Sequence, residues 1–294
     1  MAHLNLTITP EQTGRSVLSV LKNELKLSST CINRLKRTEF GLTVNDQRIF
    51  TNALLSVGDV LSVDLSAAEQ RTKVDPIAIP LNIVYEDEHL LILNKQAPLA
   101  VIPSSLAQDE PTLANALAHY WGTDFTFHPV NRLDRSTTGL MAVAKNSFIH
   151  DRLQRVLHSG EFTRRYLAVC EGFPDPRDGE ITLPIARKDG SAIARCISPN
   201  GQHAHSTYRT LAQTARFSLM ELTPHTGRTH QLRVHMAAIN HPLVGDWLYG
   251  TEDHSLIARP ALHAAFLSVN HPVTGELIEL SAPLPADMKR LMEL

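Results

Sequence analysis

The chain has 294 residues, 43% of them hydrophobic and 20% charged, with 28 Lys plus Arg against 30 Asp plus Glu. That length holds one large domain, or a large and a small one, and the near-neutral balance excludes a globally basic nucleic-acid binder, so any positive charge for RNA has to be local. No apolar run approaches a membrane span, Met1-Ala2-His3 lacks the start of a secretory signal, and the scattered Cys31, Cys170 and Cys196 fit a reduced cytoplasm better than a disulfide framework or a paired-cysteine zinc site.

Up to Ser66 the pattern is that of a small module. Leu18, Leu21 and Leu25 recur at helical spacing after Thr13-Gly14 and predict a first amphipathic helix. Ser28, Ser29 and Thr30 offer N-caps for a second short helix, with Cys31, Ile32 and Leu35 as its buried stripe and Arg34, Lys36 and Arg37 exposed. Leu42 and Val44 before Asn45-Asp46, and Gly58-Asp59 before the alternation Leu61, Val63, Leu65, predict strands. A basic helix beside a small sheet is a candidate phosphate-binding face, and equally a solvated one. The order helix, basic helix, Val-Asn turn, Val-Gly-Asp-Val resembles the S-four-like RNA-binding module, carried by Gly14-Arg15, Ser28 to Arg37, Val44-Asn45 and Gly58-Asp59. Residues 1–66 are expected to form such a module.

Residues 67–79 hold no consistent period and read as a linker, with a larger unit over 80–294. Ile83-Val84-Tyr85 and Leu90 to Leu93, separated by Glu86-Asp87-Glu88, predict a strand hairpin. Asp109 to His119 is helical in pattern through Leu113 and Leu117, and Ser147 to Leu157 through Phe148, Leu153 and Val156. Residues 166–170, 206–211 and 217–222 have strand-like patterns.

Four segments carry chemistry. Asp134 stands between Arg132 and Arg135, followed by a hydroxyl-rich turn, Gly139 and the apolar run Leu140 to Ala144. Nearby positive charge favours the charged form of an acid, and an ionised carboxylate serves as nucleophile or base; a surface ion-pair cluster has the same pattern. Phe162 to Val169 is a strand entered through Arg164 and Arg165, with Tyr166 at its start. In Thr226 to His235, Gly227 is expected to turn the chain and Thr229 to cap a helix that carries Arg233 and ends near Asn240. His241 to Gly250 is a tight loop punctuated by Gly245. Singly, Tyr166 reads as a core aromatic, Arg233 as a solvated charge and Gly245-Asp246 as a turn.

Together and in this order they resemble the RluA-type family of pseudouridine synthases. Arg132-Leu133-Asp134-Arg135 with Thr137 and Gly139 matches that family's catalytic-Asp motif, and Thr226 to His235 and Pro242 to Gly250 match two more of its segments. Leu262-His263-Ala264, His271-Pro272 and Ala282 to Pro285 match its closing segment, so the resemblance covers Ile83 to Leu294. It departs from the family pattern at Asn131, where His is usual, at Gln96, Pro98 and Ile102 in the entry segment, and at Arg164, where Lys is usual.

The resemblance implies an α+β, mixed α/β fold with a central, largely antiparallel mixed sheet and a long active-site cleft. It implies isomerisation of uridine to pseudouridine in structured RNA: the bond from the base nitrogen to the ribose breaks, uracil turns, and carbon 5 is joined to the sugar. That change is redox-neutral, so neither cofactor nor metal is expected. Asp134 would attack the sugar or remove a sugar proton, Arg233 would pair with Asp134 and orient it, and Tyr166 would lie against the uracil, its hydroxyl serving the proton at carbon 5. The uridine must leave its helix. Arg132, whose planar guanidinium suits stacking, would fill the gap, and Arg135 and Arg228 would touch phosphates. Large-subunit (23S) ribosomal RNA is the expected target, with transfer RNA the alternative; a cytoplasmic monomer with no membrane partner is expected. The rivals are a catalytically weak or inactive RNA-binding paralogue and a zinc hydrolase. The second rests on 15 His, but His225, His230 and His235 recur every five residues, which does not share a helix face, and no His-Glu-x-x-His is present.

Overall fold

The computed structural model describes residues 3–65, 72–103, 109–157 and 159–294; Ser66 and residues 67–71 of the expected linker lie outside them. Near the N-terminus, β1 (His3–Thr7), β2 (Leu42–Val44), β3 (Gln47–Arg48) and β4 (Val60–Asp64) form an antiparallel sheet in the order β1-β4-β2-β3. The first strand goes beyond the sequence reading. Two short helices, α1 (Val17–Asn23) and α2 (Ser29–Leu35), share a core with this sheet, and the hydroxyls of Ser16 and Ser28 accept the amides of Ser19 and Cys31 as N-caps. The buried stripe of α1 is Val17, Val20 and Leu21; Leu25 falls beyond its end, so the predicted helix is too long. In α2, Cys31, Ile32 and Leu35 are buried as expected, while Lys36 and Arg37 are exposed and Arg34 is half-buried.

Residues 72–79 contain no helix or strand, yet they are tied to the larger unit. The Thr72 hydroxyl accepts the Phe127 amide at 2.7 Å, and Asn115 donates its side-chain amide to the Asp75 carbonyl at 2.9 Å.

The larger unit is built on a ten-stranded sheet of β5 (Ile83–Glu86), β6 (Leu90–Lys95), β7 (His128–Pro129), β8 (Thr138–Ala144), β9 (Phe162–Glu171), β10 (Asp178–Ile181), β13 (Ser206–Gln213), β14 (Phe217–Pro224), β15 (Leu262–Asn270) and β16 (Leu277–Ser281). Its main path runs β10-β13-β14-β9-β15-β8-β6-β5, with β7 on β8 and β16 on β15. A separate two-stranded ribbon joins β11 (Ile185–Arg187) to β12 (Arg195–Ile197). Within the ten-stranded sheet all pairs are antiparallel except β8 with β15, so the sheet is mixed but largely antiparallel, as expected.

Strands β6 and β8 are buried almost along their whole length because both faces of the sheet are covered. Successive residues point to opposite faces. Leu91, Leu93, Met141 and Val143 enter one core with α3 (Leu113–Trp121), and Leu90, Ile92, Leu140 and Ala142 enter another with α4 (Ser147–Val156). The second core is continuous with that of the N-terminal module, from Ile8 and Val17 to Leu65. The α3 helix begins later than predicted: Thr112, in extended conformation, caps it, so Asp109 to Pro111 stay outside. Asn146 caps α4 by accepting the Ile149 amide at 2.9 Å, in agreement with the predicted start.

The single parallel pairing, Thr138 with His263 and Ala264 with Gly139, lies directly after the Asp134 loop. Gly139 has φ +112°, and a Cβ there would come within 2.3 Å of the Ala264 carbonyl oxygen. Only glycine lets the two strands approach this closely. No helix among the described residues is long and apolar enough to cross a membrane.

Candidate active site

A cavity of about 680 Å³ opens where the Asp134 loop, the start of β9, the end of β14 and α5 (Gln231–Ala238) converge. Its cationic lining is Arg132, Arg135, Arg164, Arg195, Arg228 and Arg233, and among the described lining residues Asp134 is the only carboxylate. In a chain whose net charge is −2, positive potential is thus concentrated in one concave place.

Asp134 is 28% exposed at its side chain, and its carbonyl accepts the Thr137 amide at 3.0 Å in a turn that feeds β8. The guanidinium near it is neither of its chain neighbours but Arg233, whose Nη1 is 3.7 Å from Asp134 Oδ2. Arg135 instead donates to Glu110, at 2.8 and 3.2 Å, and Arg132 is exposed at the cavity wall. The expected Arg233–Asp134 pair therefore exists as a close approach rather than a tight fork. The fork goes to Asp246, with Nε to Oδ2 at 2.8 Å and Nη2 to Oδ1 at 2.6 Å. Asp246 also accepts the amides of Leu248 and Tyr249, and Arg233 lies 5.1 Å from the Tyr249 ring centroid. Burial by itself lowers the Arg233 pKa, but Asp246, with Asp134 and Tyr249 behind it, reverses this and leaves it raised. Arg233 stays charged beside Asp134. The reading of Gly245-Asp246 as merely a turn misses this anchor, since a turn and an ion-pair partner look alike in sequence.

Tyr166 follows from the alternation along β9. Phe162, Arg164 and Tyr166 share the buried set, and Arg164 and Tyr166 line the cavity. Burial pushes the Tyr166 phenol up, Arg164 pulls it down, and Asp134 pushes it up again; the net result is raised, so the hydroxyl keeps its proton at neutral pH. Arg164 is only 9% exposed and its Nε has no hydrogen-bond partner. A buried donor left without a partner is costly; Arg164 also lines the cavity, where its guanidinium adds positive charge.

Two buried side chains fix the loop. Lys95, 1% exposed, donates to the carbonyls of Gln96 at 2.9 Å, Leu99 at 2.8 Å and Arg135 at 3.3 Å, joining the end of β6 to the Asp134 loop. Burial drives its ammonium down to about 7 against the opposing pull of Asp134. Asn131, at the position of the family's usual His, accepts the Ala142 amide at 2.9 Å through Oδ1, while its buried Nδ2 has no partner.

The predicted cap of the Arg233 helix is corrected. His230, not Thr229, takes the N-cap, in the left-handed region at φ 57°, and no side chain caps the helix. The preceding turn is held instead by Gln231. Its Oε1 accepts the Thr226 hydroxyl at 2.7 Å and the Arg228 amide at 3.0 Å, and its Nε2 donates to the His205 carbonyl and the Ser206 hydroxyl. His230 lines the cavity, and its Nδ1 is 2.7 Å from the Tyr249 hydroxyl. Arg228 lies along the rim, donating to the His203 carbonyl and to Gln202 Oε1. The histidines at five-residue spacing do not converge: His235 is buried between Ser206 and the Leu183 carbonyl, and His225 stacks on His205. Among the described residues, no group of three His, Cys, Asp or Glu side chains is placed to hold a metal ion.

The chain is similar to several known proteins. A family model described as RNA pseudouridylate synthase matches residues 89–238. The chain is 39% identical over 293 residues to the uncharacterized RNA pseudouridine synthase YhcT of Bacillus subtilis, with 98% of this chain and 96% of that protein covered. It is 35% identical over 298 residues to ribosomal large subunit pseudouridine synthase D of Haemophilus ducreyi, covering 95% and 86%. Among solved structures, human RNA pseudouridylate synthase domain containing 1 aligns with a TM-score of 0.59 at 27% identity, covering 75% of this chain and 96% of that one. The chain belongs to the RNA pseudouridylate synthases of the RluA type, enzymes that isomerise uridine in RNA to pseudouridine.

Proposed function

We propose that the arginine-lined cavity receives a flipped uridine of large-subunit ribosomal RNA and that Asp134 is the catalytic carboxylate. The observation that carries this reading is the lone carboxylate among six arginines in a cavity whose wall includes Tyr166. Asp134 attacks the ribose or removes a proton from it as the bond to the base nitrogen breaks; Arg233, anchored by Asp246, fixes the carboxylate's position. The freed uracil turns against Tyr166, an aromatic contact worth roughly 1–3 kcal/mol per stacked base. Carbon 5 then bonds to the ribose carbon, releasing the Asp134 carboxylate or drawing back the proton it took. The carbon 5 proton passes through the protonated Tyr166 hydroxyl to solvent, while the former glycosidic nitrogen takes up one proton in exchange. No atom is gained or lost overall.

Arg132 fills the stack that the uridine leaves, and Arg135 and Arg228 contact phosphates. The Arg135–Glu110 pair does not oppose this, because an exposed ion pair contributes roughly 0–1 kcal/mol and yields readily to a phosphate. Residues 3–65 act as an S-four-like RNA-binding module, with Arg34, Lys36 and Arg37 on the RNA side. Helix α4 supports a shared RNA path: Gln154 and Leu157 line the cavity, while Arg155 donates to the Lys26 carbonyl of the module. The few, widely spaced cysteines, Cys31, Cys170 and Cys196, support a cytoplasmic location.

The choice of ribosomal RNA is supported by relatives named ribosomal large subunit pseudouridine synthase D, 35–38% identical to this chain. Mapping pseudouridines in ribosomal and transfer RNA from cells with and without the gene tests it. Loss of a large-subunit site is expected; loss confined to transfer RNA would reassign the target.

A further inference from the structure

A second, smaller cavity of about 180 Å³ opens on the N-terminal module, between α2 and the segment after β3. Leu35 and Leu42, both buried, line its base; Lys36, Arg48, Phe50 and Asn52 reach it from solvent-exposed positions. Phe50 is 68% exposed, in a module whose sheet and helices bury Val17, Leu21, Ile32, Leu61 and Val63 almost completely. The Arg48 guanidinium lies 5.6 Å from the centroid of the Phe50 ring.

These features fit one chemistry. The apolar base and the exposed ring offer a face for a flat heterocycle, the Asn52 amide offers both a donor and an acceptor, and the volume admits one ring system but not a paired duplex end. Lys36 and Arg48 line the opening, and the stretch from Lys36 to Asn52 carries these two and Arg37 against the carboxylates Glu39 and Asp46, so the local excess is positive. Aromatic faces interleaved with cations are the composition that holds unpaired nucleic acid, since every base has a face to stack and every link a phosphate to neutralise.

We infer that this pocket captures one unpaired nucleobase of the RNA substrate, stacked on Phe50, with Lys36 and Arg48 on the flanking phosphates. The inference rests on reading residues 3–65 as an RNA-binding module, and it adds a base-holding site to a face otherwise read only as basic. A base held there, on a module joined through α4 to the catalytic cavity, limits which uridine of a folded RNA can reach Asp134.

The test compares full-length wild type with Phe50→Ala and Phe50→Tyr, using fluorescence anisotropy of a short labelled oligouridylate and of a blunt RNA duplex of the same length. Phe50→Ala is expected to weaken single-strand binding about 5- to 100-fold, Phe50→Tyr to restore it, and duplex binding to stay unchanged in both. Arg48→Ala should lower the salt dependence of single-strand binding by about one phosphate. Equal single-strand affinity for wild type and Phe50→Ala, or equal losses on strand and duplex, would overturn the pocket. Pseudouridine formation by the same wild-type sample, measured in parallel, separates that failure from failure of the synthase reading.

Discussion

Arg233 is held by Asp246 and only approaches Asp134: two bonds of 2.8 and 2.6 Å join it to Asp246, and 3.7 Å separates Nη1 from Asp134 Oδ2. Asp246 is therefore expected to be a positioning residue that acts on the reaction through Arg233. Removing one partner of a buried ion pair costs about 3–5 kcal/mol, so Asp246→Ala should unfold in markedly less urea. In Asp246→Asn, which keeps the shape, Arg233 should close on Asp134 and misplace it. A fall in kcat on the order of 10²-fold with KM for RNA nearly unchanged is expected. A rise in KM alone would show that Asp246 serves binding instead.

Arg164 is the buried cation with an unbonded Nε in the cavity wall. Because Arg164 lines the cavity, its guanidinium is expected to meet the substrate. Arg164→Met should raise KM for RNA by about tenfold or more, the scale of one charged hydrogen bond, and Arg164→Lys should recover part of it. If the contact is a phosphate, the salt dependence of KM falls by about one unit. Unchanged KM in Arg164→Met would mean that the guanidinium is only packed.

Lys95 donates to three carbonyls, one of them in the Asp134 loop. Lys95→Met leaves the Gln96 and Leu99 carbonyls without a donor, at about 1–3 kcal/mol each, while the Arg135 carbonyl keeps the Leu99 amide. Urea unfolding should therefore show a loss of several kcal/mol, on that same scale. With the folded value near 7 and the ordinary value at 10.5, the unfolded chain binds more protons at this site between those limits. The site's contribution to stability consequently rises with pH across that window. The rise should be smaller in Lys95→Met, and an identical pH slope in the two proteins would count against it.

His235 lies between the Ser206 hydroxyl and the Leu183 carbonyl, and burial lowers its pKa below 6.5. The folded state resists protonation that the unfolded chain accepts, so stability is lost as pH falls below 6.5. Burial lowers His263 as well, which bonds Thr138 beside the Asp134 loop. Melting temperature should drop between about pH 7 and pH 5, and by less in His235→Gln. A drop of equal size in that variant would assign the acid sensitivity elsewhere.

Much of this site is legible in the sequence because its chemistry sits in short contiguous runs. The Asp134 loop, Tyr166 at a strand start and Arg233 on a short helix can each be read from a handful of neighbours. The apolar runs Leu90 to Leu93 and Leu140 to Ala144 point to strands, but not to the two cores that flank them. What stays illegible is long-range. Thr138 and His263 are 125 residues apart, and nothing local in either announces the parallel pairing that demands glycine at 139. Asp246 is hidden for the same reason: thirteen residues from Arg233 and in a different element, it looks like part of a turn. The cap of the Arg233 helix is misread because a threonine is the ordinary cap, while Gln231 holds the turn and leaves His230 at the helix start.

The most direct measurement is pseudouridine formation on ribosomal RNA transcripts by purified wild type and Asp134→Ala, with RNA affinity determined for both. With Asp134 as the catalytic carboxylate, wild type forms pseudouridine, and Asp134→Ala forms none above background while binding the RNA about as tightly. Pseudouridine formation by Asp134→Ala at a rate close to wild type would contradict it.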